Sequence, residues 1–280
     1  MPISPETATR CEELATELAR YAMAEMAQRR PGREERATKL HEADWVTVVD
    51  VDIERHVRAT LQAVFPSHGL AGEELGWSKG HDPGGPVWYI DPVDGTTNFV
   101  HGLPWSSFTI ALADEDGLAV GVVADPYRSE LFSAVRGQGA RLNGAPLTRG
   151  AEDRPAGLGL TGGAVLCELA GVDCWPGMLD MVAALSARKC VTRIMGSSAL
   201  SLASVAAGRA SGAVLGGFDP IDVGAGVLIA RESGAFVRGG LRVSAVLGAR
   251  PDLGRDVLVV AAPELCEELS GLVQSLPGPH

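Results

Sequence analysis

The sequence predicts an α+β or layered α/β domain. Three observations predict it: a long amphipathic segment opens the chain, a meander of apolar strand-like runs follows, and the second half alternates strand-like and helix-like runs. At 280 residues the chain can bury a large core, as one domain or as two subdomains at 1–150 and 151–280. Its 46% hydrophobic and 21% charged residues are those of a globular protein.

Residues 6–29 carry Leu14, Leu18 and Ala22 at helical spacing, and Pro31-Gly32 stops that helix. A charged connector leads to Trp45-Val46-Thr47-Val48-Val49, an apolar run that ends in Asp50. Residues 52–64 are helical again, with Ile53, Val57, Leu61 and Val64 aligned and Pro66 closing. Val87-Trp88-Tyr89-Ile90 reads as a buried strand. The meander follows as strands at 106–113, 118–124 and 130–135, with a turn at Asp114-Glu115-Asp116-Gly117 and a hairpin turn at Asn143-Gly144. Residues 152–158 are polar and carry Pro and Gly, which suits a joint between the subdomains. Beyond it, 197–207 and 223–233 read as helices, 258–261 as a buried strand and 263–273 as a terminal helix.

Acids outnumber bases 35 to 24, for a net charge of −11, and no basic stripe appears, so a nucleic-acid partner is not expected. No uncharged apolar run reaches the roughly 18 residues of a membrane span. The first thirty or so residues mix acids and bases and do not form a signal peptide. The five cysteines, Cys11, Cys167, Cys174, Cys190 and Cys266, are odd in number and lack a Cys-x-x-Cys pair, which favours reduced thiols and a cytoplasmic protein. The six histidines have no zinc-like spacing.

The most informative stretch is Asp91-Pro92-Val93-Asp94-Gly95-Thr96-Thr97-Asn98. Two carboxylates end an apolar strand, and a carboxylate there is expensive unless it is paired or binds metal. Gly-Thr-Thr then offers backbone N–H groups that can meet a phosphate. Hard oxygen ligands beside a phosphate cradle point to Mg²⁺-dependent phosphate chemistry, in which the metal reverses an acidic local field. Other acids end apolar segments too: Asp50, Glu73-Glu74 after Leu70-Ala71-Gly72, and Asp222 after Phe218-Asp219-Pro220-Ile221. Taken singly, Asp50 and Asp222 would be helix N-caps and Glu73-Glu74 a solvated pair. Gly137-Gln138-Gly139 lacks the third glycine and the helix of a dinucleotide fingerprint.

In order along the chain, Thr47-Val48-Val49-Asp50, Gly72-Glu73-Glu74, the strand and turn from Trp88 to Phe99, Gly137-Gln138-Gly139-Ala140 with Asn143-Gly144, Gly196-Ser197-Ser198-Ala199, and Asp222-Val223-Gly224-Ala225-Gly226 resemble the inositol monophosphatase family of metal-dependent, lithium-sensitive phosphatases. The resemblance implies the five-layer αβαβα sugar-phosphatase fold and a homodimer. It also implies roles. Glu73, Asp91 and the Val93 carbonyl would hold one Mg²⁺, and Asp91, Asp94 and Asp222 a second. Glu74 would reach a third, weaker ion through water. Thr96, with Glu73 or Asp50, would orient the attacking water. Asp94, Gly95, Thr96, Thr97, Ser197 and the region of Leu215 would meet the substrate, and Lys39 would stand near the site.

Two departures matter. Ile221 stands where relatives often carry Trp before the last metal-binding Asp, and Asp219 adds a second acid, read here as structural. Leu215 stands where inositol-selective members carry a Glu that contacts substrate hydroxyls. Leu accepts no hydrogen bond, so a polyol loses a partner there. The expected activity is hydrolysis of a small alcohol phosphate: an inositol, histidinol or sugar phosphate, or a phosphorylated nucleoside or natural-product intermediate. Two rival readings are an Asp-nucleophile phosphatase of the haloacid-dehalogenase type and a non-catalytic regulatory protein that reuses the fold. The first needs two Asp separated by one residue. Asp50-Val51-Asp52 has that spacing without the context.

Overall fold

Alternation along the central strands sets the layering of the molecule. The computed structural model describes residues 2–29, 36–38, 45–82, 84–148, 159–239 and 257–276. Lys39 and the expected joint at 152–158 lie outside them.

Helix α1 (Pro5–Gln28) begins at Ser4, whose hydroxyl accepts the Thr7 N–H at 3.1 Å, with Pro in the first turn. Its buried stripe of Cys11, Ala15, Leu18, Ala22 and Met26 steps by three or four residues. Strands β1 (Arg36–Thr38) and β2 (Trp45–Thr47) form a separate antiparallel pair. Helix α2 (Val48–Val64) starts earlier than the apolar pattern suggested. Thr47 is its N-cap, and Asp50, three residues on, accepts the Thr47 N–H at 3.1 Å in a capping box. Val48-Val49 is thus a first helical turn, not the end of a strand.

Strands β3 (Gly69–Gly72), β4 (Gly76–Ser78) and β5 (Val87–Asp94) precede the short helix α3 (Thr96–His101). Then come β6 (Ser107–Asp114), β7 (Gly117–Asp125), β8 (Glu130–Val135), β9 (Ala140–Leu142) and β10 (Ala145–Leu147). These eight strands make one sheet in the order β10-β9-β8-β7-β6-β5-β3-β4. Only β3 and β5 pair in parallel. The hairpin expected at Asn143-Gly144 joins β9 to β10, with both residues at positive φ.

The second half contributes β11 (Ala164–Glu168), α4 (Met178–Ala187), β12 (Val191–Arg193), α5 (Ser198–Ala206), β13 (Gly212–Gly216), α6 (Pro220–Glu232), β14 (Phe236–Arg238) and β15 (Val257–Ala261). A 3₁₀ turn (Pro263–Leu265) then leads into α7 (Cys266–Gln274). The five strands form a sheet in the order β12-β11-β13-β15-β14, parallel across β12, β11 and β13.

On β5 and β6, Trp88, Ile90, Phe108, Ile110 and Leu112 point toward α1 and α2, while Tyr89, Ala111 and Ala113 point toward α5 and α6. On the second sheet, Leu166, Ala213, Leu215, Leu258 and Val260 face the same α5 and α6. Val165, Cys167, Val214 and Val259 face α4 and α7. The stack is therefore α1/α2, sheet, α5/α6, sheet, α4/α7: the five-layer fold. Each large apolar side chain buried this way contributes about 1.5–3 kcal/mol of transfer free energy.

Candidate active site

A cavity of about 570 Å³ opens where β5 ends, between the β3–β4 turn, the start of α6 and the ends of β11 and β13. It gathers Glu73, Asp91, Val93, Asp94, Gly95, Thr96, Thr97, Leu215 and Asp222 from among the residues named by sequence. Asp50 and Ser197 stand directly behind them, in contact with Thr96 and Asp94. Glu74 is half-buried and does not line the cavity.

The geometry follows from local structure. The pairing of β5 with β6 breaks register between Asp91 and Asp94, which turns both carboxylates toward the cavity. Asp91 Oδ1 accepts the Val93 N–H at 2.9 Å. Asp94 sits on the N-terminus of α5: Oδ2 accepts from the Ser197 hydroxyl and the Ala199 N–H, the latter at 2.8 Å, and Oδ1 from the Ser198 N–H at 3.2 Å. The Thr96 hydroxyl lies 3.1 Å from Asp50 Oδ1 and 2.9 Å from the Val93 carbonyl, so its single hydrogen serves one or the other. Asp50 also receives the Thr47 hydroxyl. Gly95 has φ 91°, and a Cβ there would come within 2.5 Å of the Gly196 carbonyl, so only glycine lets the two loops meet.

Burial and neighbouring negative charge raise the carboxyl groups of Asp91, Asp94 and Asp222. Burial and then the charges of Glu73, Asp94 and Asp222 push Asp91 well above the usual carboxylate range. Asp222 keeps part of its surface open to the cavity, yet enclosure and then Asp94 and Glu73 raise it strongly too. Burial lifts Asp94 to about 6 against the pull of its Ser197, Ala199 and Ser198 donors. It also lifts Asp50 to about 6. Asp91 and Glu73 share a hydrogen bond.

Among the described residues no Lys, Arg or His lines the cavity. Nor do any three acidic, Cys or His side chains among them already surround one point at coordinating distance. The donor set fits Mg²⁺ on its chemistry: Glu73, Asp91, Asp94, Asp222 and the Val93 carbonyl are all hard oxygens, and the crowded negative charge calls for a divalent counter-ion.

Several site residues escaped the sequence reading. Glu54, on α2, accepts the Glu74 N–H at 2.8 Å and the Leu75 N–H at 3.2 Å, and pairs with Arg58 at 2.9 Å. It fixes the turn that presents Glu73. A Cβ on Gly72 would come within 1.9 Å of Glu54, so this contact requires glycine there. Only the spacing of Glu54 and Arg58, four apart on one helix face, hinted at the pair. Asn98 donates to the Trp105 and Met195 carbonyls, at 2.7 and 2.6 Å, and ties α3 to the loop before α5. Glu168 closes β11 inside the cavity, where burial lifts its carboxyl to about 7. No pattern in the sequence marks it. Asp219 caps α6, accepting the Ile221 N–H at 2.9 Å, while Asp222 sits in the first helical turn rather than at the cap.

The five-layer stack, with a cluster of carboxylates at the end of β5, defines the class of the layered sugar-phosphatase fold. Within it, the profile of the inositol monophosphatase family matches residues 8–275, and the chain belongs to that family. Nus factor SuhB of Pasteurella multocida (strain Pm70) is 38% identical over 231 residues, 82% of this chain and 83% of that protein. The inositol monophosphatase of Anabaena (Nostoc) sp. PCC 7120 superposes with TM-score 0.75 at 27% identity, over 96% of this chain and 97% of that one. An IMPase/NADP phosphatase complexed with Mg²⁺ and phosphate superposes with TM-score 0.77 at 23% identity, over 97% and 98% of the two chains, a likeness of fold. None of the five cysteines is in a disulfide, and among the described residues no helix is long and apolar enough to cross a membrane.

Proposed function

We propose that the protein is a Mg²⁺-dependent phosphomonoesterase acting on a small alcohol phosphate. The observation that carries this reading is the convergence of Glu73, Asp91, Asp94 and Asp222 on one cavity that no described basic residue lines. Glu73, Asp91 and the Val93 carbonyl would hold one ion, and Asp91, Asp94 and Asp222 a second, with Glu74 available to a weaker third. When bound, the ions supply a nucleophile at neutral pH and stabilise the leaving oxygen. Thr96, held between Asp50 and the Val93 carbonyl, orients the attacking water, and Asp50 or Glu73 takes its proton. The Gly95 and Thr96 N–H groups, at the start of α3, receive the phosphate oxygens, with Thr97 at the rim of the cavity. Ser197 holds Asp94 in place.

The candidate substrates are inositol, histidinol and sugar phosphates and phosphorylated nucleosides or natural-product intermediates. Homodimerisation, lithium sensitivity and a cytoplasmic location go with this reading. So does a division into subdomains 1–150 and 151–280, supported by the confinement of the large sheet to residues 69–147 and the small one to 164–261. The test is phosphate release from a panel of phosphomonoesters, with Mg²⁺ and with chelator. Release that survives chelation, or Asp91→Asn at the wild-type rate, would refute it. A second reading, a non-catalytic role, is favoured by the name Nus factor carried by the curated relative. A folded protein that hydrolyses no ester and binds no Mg²⁺ at millimolar levels would support that reading.

A further inference from the structure

Two features of the cavity remain outside the metal and phosphate chemistry. The first is its apolar wall. Leu169, Val172, Ile194, Leu215 and Phe218 all line the cavity, and Val172 and Ile194 are 52% and 51% exposed. These side chains leave apolar surface inside an otherwise acidic pocket that the body of a ligand can cover.

The second is Glu168. It is the register partner of Leu215 across the parallel β11–β13 pair, so both side chains leave the same face of the sheet. Oε2 accepts the Gly196 N–H at 2.7 Å, and Oε1 the Ser201 hydroxyl at 2.6 Å. The Met195 N–H also reaches this carboxylate, so of its roughly four acceptor sites about one remains. Glu168 is 4% exposed and lines the cavity, and no basic residue among those described faces it there. A buried carboxylate in that setting gains from one more donor. Where β13 offers only Leu215, the neighbouring strand supplies an acceptor one strand away.

We propose that this wall and Glu168 form a leaving-group subsite for an amphipathic alcohol: a phosphate ester with an apolar body, such as an aromatic ring, and one hydrogen-bond donor, hydroxyl or ammonium, aimed at Glu168. The proposal rests on the phosphatase reading and narrows its substrate class. A polyol fits poorly, because its many hydroxyls would meet Leu169, Leu215 and Phe218 with nothing to accept them.

The test uses the full chain with Mg²⁺ and four probes: myo-inositol phosphate, phenethyl phosphate, and the para-hydroxy and para-aminomethyl analogues of phenethyl phosphate, the last an ammonium at neutral pH. Turnover and calorimetric affinity are both measured. The expected result is that the donor-bearing phenethyl esters exceed myo-inositol phosphate in kcat/KM by about tenfold or more, the scale of one or two well-placed contacts. Comparison of the hydroxy and ammonium probes identifies the donor. Glu168→Gln should shrink the advantage of the favoured donor probe over plain phenethyl phosphate. Val172→Ser with Ile194→Ser, at exposed positions that do not threaten folding, should shrink the advantage of phenethyl phosphate over the polyol. Equal or better turnover of the polyol, or a donor preference untouched by Glu168→Gln, would overturn the subsite. Tight binding of the phenethyl esters without any hydrolysis would leave the subsite standing and overturn the phosphatase reading instead.

Discussion

Asp91 and Asp94, on the acidic side of the cavity, are held by donors from the chain itself: the Val93 N–H for the first, and the Ser197 hydroxyl with two helix N–H groups for the second. Val172 and Ile194, which line the same cavity, stand half open. The first wall has a geometry fixed by backbone hydrogen bonds, as charge chemistry demands. The second is built from loop residues whose identity can change without disturbing the first. On the proposed function, reaction chemistry and substrate choice fall to different residues, and variants should break one without the other.

The largest expected effect is on the fixed wall. Asp91→Asn removes the carboxylate proposed to bridge both ions, and phosphate release with Mg²⁺ should fall by on the order of a thousandfold, or about 4 kcal/mol of barrier. Glu54→Gln is next. It leaves the buried Arg58 without its counter-charge and loosens the Glu73 turn, so urea denaturation should show a loss of about 3–5 kcal/mol, with weaker Mg²⁺ binding. Ser197→Ala removes a donor to Asp94 and the N-cap of α5. Mg²⁺ affinity should drop by about tenfold and stability by about 1 kcal/mol, read by calorimetry and by melting.

A smaller effect separates the walls by pH. Asp50 and Asp94 are raised to about 6 and Glu168 to about 7, all above their unfolded values. Their contribution to stability is full below about pH 4 and is lost as pH rises through 6 to 7. Mg²⁺ should restore the share lost at Asp50 and Asp94 but not that at Glu168. The rise in Tm on adding Mg²⁺ should then be several degrees larger at about pH 7.5 than at about pH 5, and Asp94→Asn should reduce that difference. An equal rise at both values would break the link between these acids and the metal. Smallest is the lithium effect: tens of millimolar Li⁺ should slow turnover, as a small cation takes a weak hard-oxygen site, and full activity would count against two exchangeable ions.

The fixed wall was legible in the sequence because its residues are contiguous or end apolar runs. The β5 motif carries Asp91, Val93 and Asp94 within a few positions, straight after the continuous apolar run Val87-Trp88-Tyr89-Ile90 that reads as a buried strand. Asp50 was found as a candidate but placed at the end of a strand. Val48 and Val49 favour strand by propensity, and the Thr47 capping box overrode it. Glu54 and Glu168 were not legible. Each is an ordinary acid in its own element and becomes a site residue only when a turn or a helix from elsewhere brings N–H groups to it. The departure at Leu215 was visible, but its consequence was not, because the register that sets Glu168 beside it is a tertiary fact.

The central claim is that metal reverses the field of an acidic cavity so that a phosphate can enter. Calorimetric binding of inorganic phosphate, with Mg²⁺ and after chelation, tests it most directly. Saturable phosphate binding is expected only with Mg²⁺, and is expected to be lost in Asp91→Asn. Phosphate binding of equal strength without metal would contradict it.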